Sequence, residues 1–374
     1  MNFDDIAVDI TLRQYALPHE TSVEEVFRRA ADAVTPVASS HLSNYIYDLM
    51  VNKKFSPGGR ILAGAGTRHG NLLNCFVQDG SPWEPGTDRY ALHLATKLAL
   101  VTRVGGGNGL NLDSFPPAKE YTRHVGTAYV LASDNDIRTG TYLDLVTGKR
   151  VVKGYADLLV VDSLPDDSST WDRAVLEVQD DTEDIWHAAT TMVQLMLGGK
   201  DVYLDLSRLR PEGSPVSGSG GTSSGPASFA VEIFDNFARW ARLGGASHAG
   251  PVATLRYLFA PTLRVIRQGG VRRGAGMATL SASHPDIEDF ITSKALRRER
   301  LEGDISTFNI SVLVDDAFMQ RYQAGDFDTV ATFHAIAEQA WATGEPGLLF
   351  VDTINKNNPL AERDGPIVAT NPCG

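Results

Sequence analysis

The chain has 374 residues, enough for one large domain or two of medium size. Its hydrophobic content of 43% and charged content of 21% are typical of a soluble globular protein, and its net charge of −12 argues against a chain-wide nucleic-acid surface. No stretch reaches the ~18 apolar residues of a membrane helix, and two cysteines cannot build a disulfide framework. We therefore expect a cytoplasmic protein that binds neither nucleic acid nor a membrane, and nine scattered histidines predict no structural zinc.

The first part of the chain is predicted to be helical. Residues 1–55 place apolar side chains at helical spacing, and Thr21-Ser22-Val23-Glu24-Glu25 offers a cap followed by acidic first-turn residues. A glycine-rich passage over 56–67 leads to an apolar run from Leu72 to Val77, which suits a buried strand carrying Cys75. A helix over 90–104 then ends at the glycines of 105–109.

Residues 113–205 differ in character from both flanks and predict an inserted subdomain. The segment 142–152 indicates a hairpin around Thr147-Gly148-Lys149, and 158–161 is a further apolar run. An amphipathic helix is predicted over 181–197, ending at Gly198-Gly199. A second glycine-rich loop follows over 213–226.

The last third of the chain alternates helices with strands. Helices are predicted over 227–242 and 251–267, followed by a loop of glycines and arginines over 268–276. A strand over 277–281, a helix opening at His284-Pro285-Asp286, a strand over 308–314, a mostly helical stretch over 318–343 and a strand over 347–352 come next. Such alternation predicts a parallel sheet or a barrel.

Three glycine-rich segments each allow two interpretations. Gly105 to Gly109 has the look of a dinucleotide fingerprint, but a helix enters it where a strand should. Gly218 to Gly225 is either an anion cradle or a flexible linker, since it lacks the Gly-Lys-Ser/Thr ending of a P-loop. The pair Arg272-Arg273 either approaches phosphates or is a solvated charge pair. None of these segments is specific alone.

The two cysteines are predicted to lie in different settings. Cys373, between Pro372 and Gly374, is expected on a tight loop, where a thiol is placed to react. Cys75, inside an apolar run, is typical of an inert small hydrophobe. Spacing alone leaves open whether Cys373 is reactive or an ordinary thiol.

Seven motifs stand in a specific order along the chain: Ser56-Pro57 with Gly59-Arg60, Asn74-Cys75-Phe76-Val77, 106–111, 207–215, 268–275, His284-Pro285-Asp286 and 369–374. Together they resemble the catalytic chain of ribonucleotide reductases, most closely the adenosylcobalamin-dependent (class II) branch. The resemblance covers residues 50–112 and 206–374, and it is weakest over 113–205.

The resemblance implies an α/β fold of four parts. Residues 1–55 are the N-terminal helical region, and 56–112 are the first part of a ten-stranded α/β barrel. Residues 113–205 are an inserted α+β subdomain, and 206–374 continue the barrel with its effector and specificity loops up to the finger loop.

The family's chemistry replaces the ribose 2′-hydroxyl with hydrogen, and the resemblance implies the residues that do so. Cys373 matches the cysteine whose thiyl radical takes the 3′-hydrogen, and Asn371 matches the asparagine that hydrogen-bonds the sugar hydroxyls. Cys75 matches the thiol beneath the sugar that supplies hydrogen and becomes half of a disulfide. The substrate-holding positions are matched by Ser56, Asn74 and Gly107, together with Cys75, Asn371 and Cys373.

Control of substrate choice is also implied by the resemblance. The loop over 268–276 matches the specificity loop that answers to a bound deoxynucleotide effector, and Arg272 and Arg273 lie in it. Arg210 matches an effector-phosphate contact in the neighbouring loop. No ATP-binding cone is evident in the first 55 residues, so the activity site of the family is expected to be absent.

The sequence departs from the family pattern at residue 374. The family's glutamate should follow Gly374, and the redox partner of Cys75 should lie beyond Cys373, but the sequence holds two cysteines. We therefore expect an N-terminal portion of a ribonucleoside-diphosphate reductase that is inactive without a C-terminal half. The implied partners are adenosylcobalamin, contacted mostly by that half, a deoxynucleotide effector, a thioredoxin-like reductant and a second copy in a homodimer.

Two alternatives stay open at this point. One is a class I large subunit, whose radical comes from a separate metal-bearing protein. The other is a non-catalytic fragment that binds a deoxynucleotide through residues 207–276. The sequence does not decide between diphosphate and triphosphate substrates.

Overall fold

The computed structural model describes residues 3–37, 39–68, 71–144, 147–164, 173–216, 221–268 and 272–373, with the backbone alone at 221, 267, 268, 272 and 273. The chain forms two compact units, Met1–Asn74 and Cys75–Gly374. The boundaries at 55, 112 and 205 that the sequence suggests stay predictions.

The first unit is helical, as the sequence predicts. Its described helices are Asp5–Gln14, Val23–Ala33, Ser40–Val51 and Gly59–Gly64. The expected cap is present as a capping box, because Ser22 accepts from the Glu25 N–H and the Glu25 carboxylate accepts from the Ser22 N–H. Arg29 joins the segments of this unit by bonding to Glu20 at 2.7 Å and to the Ala65 carbonyl at 2.6 Å.

The second unit is built on a parallel sheet. In the described part of the chain it has five strands, which run in sequence order: β1 (Cys75–Val77), β2 (Gly107–Asn111), β3 (Gly276–Ser281), β4 (Phe308–Val314) and β5 (Gly347–Phe350). Neighbouring strands are paired in parallel throughout. The helices between consecutive strands pack on one face, as parallel connections require.

The two faces of this sheet differ in chemistry. Successive side chains of a strand point to opposite faces, so residues in register form rows across the sheet. One row holds Leu110, Ala278 and Ile310, all buried in the core beneath the helices. The next row, on the other face, holds Asn111, Thr279, Ser311 and Gly347. The helix-covered face is therefore apolar, and the open face carries small and polar residues.

The helical layer of the second unit includes two long helices, Asp88–Arg103 and Thr182–Leu197, and two helices with π-helical centres, 226–242 and 250–265. The other described helices are Asn135–Thr139, Gly245–Ser247, Ile287–Ile291, Leu296–Glu302, Asp316–Gln323, Phe327–Thr343, Val351–Asn355 and Ala361–Asp364.

The block between β2 and β3 has a sheet of its own. Its four described strands lie in the order Leu158–Val161, Ala128–Leu131, Asp201–Asp205 and Arg173–Glu177, all parallel. The predicted hairpin is confirmed as Thr141–Asp144 against Lys149–Val152. Two short antiparallel pairs complete the strands: Pro215–Val216 with Gly221–Thr222, and Arg267–Gln268 with Arg272–Arg273.

Several predicted boundaries were wrong. The apolar run 72–77 is not a buried strand, because only Cys75–Val77 pairs and Leu72 and Leu73 are 44% and 62% exposed. The ladder cannot extend further back, since its partner leaves a helix at Gly105 and Gly106, which still bond to helical carbonyls.

Further boundaries differ near helix ends. The strand predicted to reach residue 352 ends at Phe350, where a helix begins. The helix predicted from residue 284 begins at Ile287, and the one predicted to reach residue 267 ends at Val265. The stretch 318–343 is two helices, separated at Gly325, which has a φ of +74°, and the second is capped by Asp326.

A buried charge cluster ties the helices to the hairpin. Glu232 accepts from Arg264 at 2.8 Å and from Lys153 at 2.6 Å, and the Tyr142 hydroxyl donates to it as well. Burial by itself raises the pKa of the Glu232 carboxyl, but the charges of Arg264 and Lys153 and the bonds from Lys153 and Tyr142 outweigh burial and lower it to about 2. The carboxylate is therefore charged in the fold at neutral pH.

In the described part of the chain, no helix combines the length and the apolar character needed to cross a bilayer.

We predict that Glu232→Gln lowers the free energy of unfolding by roughly 3 kcal/mol at pH 7, because it leaves the buried Arg264 without its counter-charge. The pKa is depressed from its ordinary value of 4.5, so the contribution is full above that pH and declines as the pH falls toward about 2. Urea unfolding at pH 7 and at acid pH measures it. Glu338→Gln, on the exposed face of another helix, is the control and should change stability little. An equal loss in both variants at pH 7 would contradict the prediction.

Candidate active site

The segment around Cys373 lies across β2 on the open face of the sheet. A Cβ atom added at Gly107 would lie 2.8 Å from the Cys75 Sγ and 2.9 Å from the Pro372 Cγ. Gly107 is in register with Cys75 on β1. The two cysteine-bearing segments therefore meet above Gly107, with Cys75 on one side and the residue before Cys373 on the other.

A second glycine allows the closest approach. A Cβ atom at Gly109 would lie 1.9 Å from the Thr370 carbonyl oxygen, which no side chain could tolerate. The backbone of 370–372 thus rests directly on the backbone of β2, and larger residues at 107 or 109 would displace it.

Side chains of three neighbouring strands hold the same segment. The Thr279 hydroxyl on β3 donates to the Val368 carbonyl at 2.8 Å, and the Asn111 amide on β2 donates to it at 3.2 Å. The Asn309 amide on β4 donates to the Pro372 carbonyl at 2.9 Å. We call Asn111, Thr279 and Asn309 the polar clamp.

The start of the segment is fixed by one further asparagine. Asn355 donates to the Ile367 carbonyl at 2.9 Å and accepts from the Ile367 N–H at 2.7 Å. These two hydrogen bonds to one residue resemble the backbone pairing between neighbouring strands. They fix the point at which the chain turns onto the sheet. The cysteine segment is therefore anchored at its base and along its length.

The structure brings together four of the residues that the sequence singles out. Cys75 is half-buried, Gly107 is buried between it and Pro372, Asn371 is half-buried and Cys373 is exposed at the tip. The neighbour Gly374, where the sequence departs from the family pattern, lies outside the described residues. The expectation of a tight loop is met, since Pro372 and Cys373 form a turn.

Ser56 and Asn74 belong to the first compact unit. Both side chains are exposed, and the Asn74 Nδ2 atom lies 3.8 Å from the position of a Cβ atom on Gly58. The segment after Ser56 thus lies beside Asn74 within that unit. Their role toward a substrate stays a prediction.

The predicted effector residues lie on the loops that flank the helices. Arg210 donates to Asp180 at 2.6 Å and to the Pro215 carbonyl at 2.8 Å, so its guanidinium braces its own loop. The backbones of Arg272 and Arg273 pair with Gln268 and Arg267 as a short ribbon. Residues 269–271 and 217–220 lie outside the described residues, as does part of the candidate anion cradle.

Sequence reasoning missed the polar clamp as a functional set. A usable signal was present, because polar residues stand two positions apart in otherwise apolar strands: Asn309 and Ser311 within 308–314, and Thr279 and Ser281 within 276–281. Polar residues on alternate positions of a strand indicate a face turned toward something other than the core.

The arrangement brings the Cys75 thiol beside the loop that carries the exposed Cys373, on the open face of the sheet. In the described ranges, no group of three or more His, Cys, Asp or Glu side chains could hold a metal ion. The described side chains supply thiol groups here, with amide and hydroxyl groups beside them.

Family models match both units. The model for the ribonucleotide reductase barrel domain matches residues 173–256, 243–332 and 328–374, which together make up more than half of the chain. The model for the all-alpha domain of the same enzymes matches residues 1–70, which fits the helical first unit.

Curated proteins are similar over long segments. A vitamin B12-dependent ribonucleoside-diphosphate reductase of Mycobacterium tuberculosis (strain CDC 1551 / Oshkosh) is 36% identical over 215 residues, 54% of this chain and 27% of its own length. A putative adenosylcobalamin-dependent ribonucleoside-triphosphate reductase of Mycobacterium phage D29 is 29% identical over 352 residues, 87% of this chain and 45% of its own length. The chain thus spans from about a quarter to under half of these relatives.

A solved structure has the same fold. The crystal structure of a B12-dependent (class II) ribonucleotide reductase superimposes with a TM-score of 0.65 at 21% identity, covering 98% of this chain and 53% of that one. The helical unit and the parallel sheet thus agree with the family models and with a known fold, and the chain belongs to the ribonucleotide reductase family.

Proposed function

We propose that this chain carries the radical cysteine and a reducing cysteine of an adenosylcobalamin-dependent ribonucleotide reductase. The observation that carries the proposal is the meeting of the two cysteine segments above Gly107. The names of the relatives support it, since those described above are B12- or adenosylcobalamin-dependent reductases. The reaction replaces the 2′-hydroxyl of a ribonucleotide with hydrogen.

In this proposal Cys373 and Cys75 act in turn. Cys373, as a thiyl radical, takes the hydrogen from C3′ of the sugar. Replacement of the 2′-hydroxyl by hydrogen, with release of water, then needs two protons and two electrons, which Cys75 and a second thiol supply as they form a disulfide. The sequence holds two cysteines, so that second thiol comes from another polypeptide segment. Asn371, between the two contacts of the loop with β2, hydrogen-bonds the sugar hydroxyls.

The thiol of Cys373 is exposed, as it must be if the radical comes from a group that binds outside the sheet. Pro372 is buried against Gly107, whereas Cys373 is exposed, so a group bound above the loop can reach its sulphur. Adenosylcobalamin, when bound, supplies the radical that removes the thiol hydrogen of Cys373. The polar clamp and Asn355 hold the loop still while that hydrogen leaves and returns.

The substrate is a ribonucleoside diphosphate in this proposal, on the strength of the 36% identical relative. The phage relative is named as a triphosphate reductase, so a comparison of the two nucleotides tests this point. Ser56 and Asn74 hold the phosphates and sugar together with Gly107. A thioredoxin-like reductant, a polypeptide that completes the barrel and a second copy of the chain are the proposed partners.

The preference for one ribonucleotide over another depends, in this proposal, on a deoxynucleotide effector bound near Arg210, Arg272 and Arg273. The support is one contact near the two loops, since the Ser224 hydroxyl at the end of the first bonds at 2.6 Å to the carbonyl of Val265, the last residue of the helix before the second. An effector that contacts one loop differently in two states can shift the other.

The two cysteines give the first test of this function. In the reductase completed by its C-terminal portion and supplied with adenosylcobalamin, we expect Cys373→Ser to abolish radical formation and turnover. Cys75→Ser should still permit 3′-hydrogen abstraction but stall reduction, so that the substrate decomposes and releases its base. Product and free base are measured by chromatography, and the reaction without adenosylcobalamin is the control. Normal deoxynucleotide yield from either variant would refute the assignment.

The arginines of the ribbon give a second test. We expect Arg272→Ala and Arg273→Ala to flatten the response of substrate preference to different deoxynucleotides more than they lower the basal rate. The preference is measured as the ratio of kcat/KM values for two ribonucleotides with each effector. Arg300→Ala, on the exposed helix Leu296–Glu302, is the matched control. Effector-dependent ratios that match the wild type in both ribbon variants would show a merely solvated charge pair.

A further inference from the structure

We propose that Asn309 is a positioning residue for Cys373, and this proposal rests on the function given above. The side-chain Nδ2 of Asn309 donates to the Pro372 carbonyl oxygen at 2.9 Å. That carbonyl belongs to the peptide that joins Pro372 to Cys373. Among the described residues, Asn309 is the side chain bonded to the carbonyl next to the cysteine.

The peptide geometry carries this bond to the cysteine. The carbonyl of Pro372 and the nitrogen of Cys373 lie in one rigid plane, so a bond at the oxygen also fixes the direction in which the Cys373 backbone leaves. Proline has no N–H, so the carbonyl is the one backbone hydrogen-bonding group that Pro372 itself offers. The Asn309 bond therefore fixes the position of the Cα atom from which the thiol projects.

The location of Asn309 supports a specific role. Asparagine is depleted in strands, and both neighbours, Phe308 and Ile310, are buried on the helix-covered face. Asn309 points to the open face, in register with Met277 and, through it, with Gly109, which lies beneath Thr370. The amide is thus placed at the level where the loop crosses the sheet.

The other anchors of the loop act elsewhere along it. Asn111 and Thr279 bond to the Val368 carbonyl, and Asn355 bonds to Ile367. These contacts lie four or more residues before Cys373 and hold the loop on the sheet. Asn309 instead holds the tip of the loop, at Pro372. The loop is therefore attached to the sheet by one set of residues, and its tip is positioned by another.

The substitutions Asn309→Asp and Asn309→Ala distinguish positioning from space-filling. Aspartate keeps the size of asparagine but replaces the donor with an acceptor that faces the Pro372 carbonyl, whereas alanine removes the bond without repulsion. Positioning through the hydrogen bond predicts that Asp is the more harmful change. Space-filling predicts that Asp resembles the wild type and that Ala is the more harmful. Asn135→Asp, on the helix Asn135–Thr139, is the matched control.

The first measurement is hydrogen exchange of residues 366–373 in the full chain. We expect Asn309→Ala to speed exchange there about fivefold, from the net strength of one hydrogen bond, and Asn309→Asp to speed it more, with the control unchanged. In the completed reductase, kcat should fall on the order of tenfold or more, because a misplaced reacting group is costly. The KM for the nucleotide should stay within about twofold of the wild type, since Asn309 holds the cysteine and not the substrate.

The outcomes separate this inference from the function on which it rests. Faster exchange with unchanged kcat would overturn the positioning role and leave the function intact. Unchanged exchange in Asn309→Asp, or a larger effect of Ala than of Asp, would overturn it directly. A wild-type enzyme without turnover would refute the function, and the exchange rates would still decide whether Asn309 holds the tip of the loop.

Discussion

The close contact between two backbones is the constraint on which the rest of the site depends. The segment 370–372 rests on β2 because Gly107 and Gly109 have no side chains, and a Cβ at Gly109 would lie 1.9 Å from the Thr370 carbonyl oxygen. This contact brings Pro372 beside the Cys75 sulphur and leaves Cys373 exposed. Two cysteines far apart in sequence lie on segments that meet for this reason, and the proposed chemistry requires that these segments meet.

The contact is stable because the two faces of the sheet carry different kinds of side chain. The helix-covered face supplies the apolar core, with Leu110, Ala278 and Ile310 in one buried row. The open face can then use its polar side chains on the loop, and the bonds from Thr279 and Asn309 satisfy loop carbonyls that would otherwise lie against the sheet without partners. Farther from the loop, Glu232 joins the two π-centred helices through Arg264 and joins them to the hairpin through Lys153 and Tyr142.

Much of this fold follows from local sequence signals. Periodicity identified the main helices and the strands β3 and β4, and the Ser22–Glu25 capping box was legible in the sequence. The motif order pointed to the family and to Cys75 and Cys373. Local signals could not give the register of the paired strands. The register decides which residues meet the loop. Asn309 and Thr279 are remote from Cys373 in sequence, and only pairing of the strands places them on one face.

The failed predictions have a related cause. Leu72 and Leu73 looked like part of a buried strand because they are apolar, yet strand length depends on the partner, and β2 starts only at Gly107. Hydrophobicity predicts that a residue can be buried, whereas the sheet decides which residues are paired. The helix predicted from residue 284 begins only at Ile287, and the mostly helical stretch 318–343 is confirmed but interrupted at Gly325 and Asp326, because caps and glycines act over single residues.

The most direct test of this account is whether the two thiols share one space. A short reagent that alkylates two thiols should cross-link Cys75 to Cys373 within one chain, and the peptide map is unambiguous because the chain has two cysteines. The account predicts an intramolecular Cys75–Cys373 cross-link in the folded chain, and its loss both in denaturant and in Gly109→Val, whose side chain displaces the loop. Separate single adducts at Cys75 and Cys373 in the folded wild-type chain would contradict it.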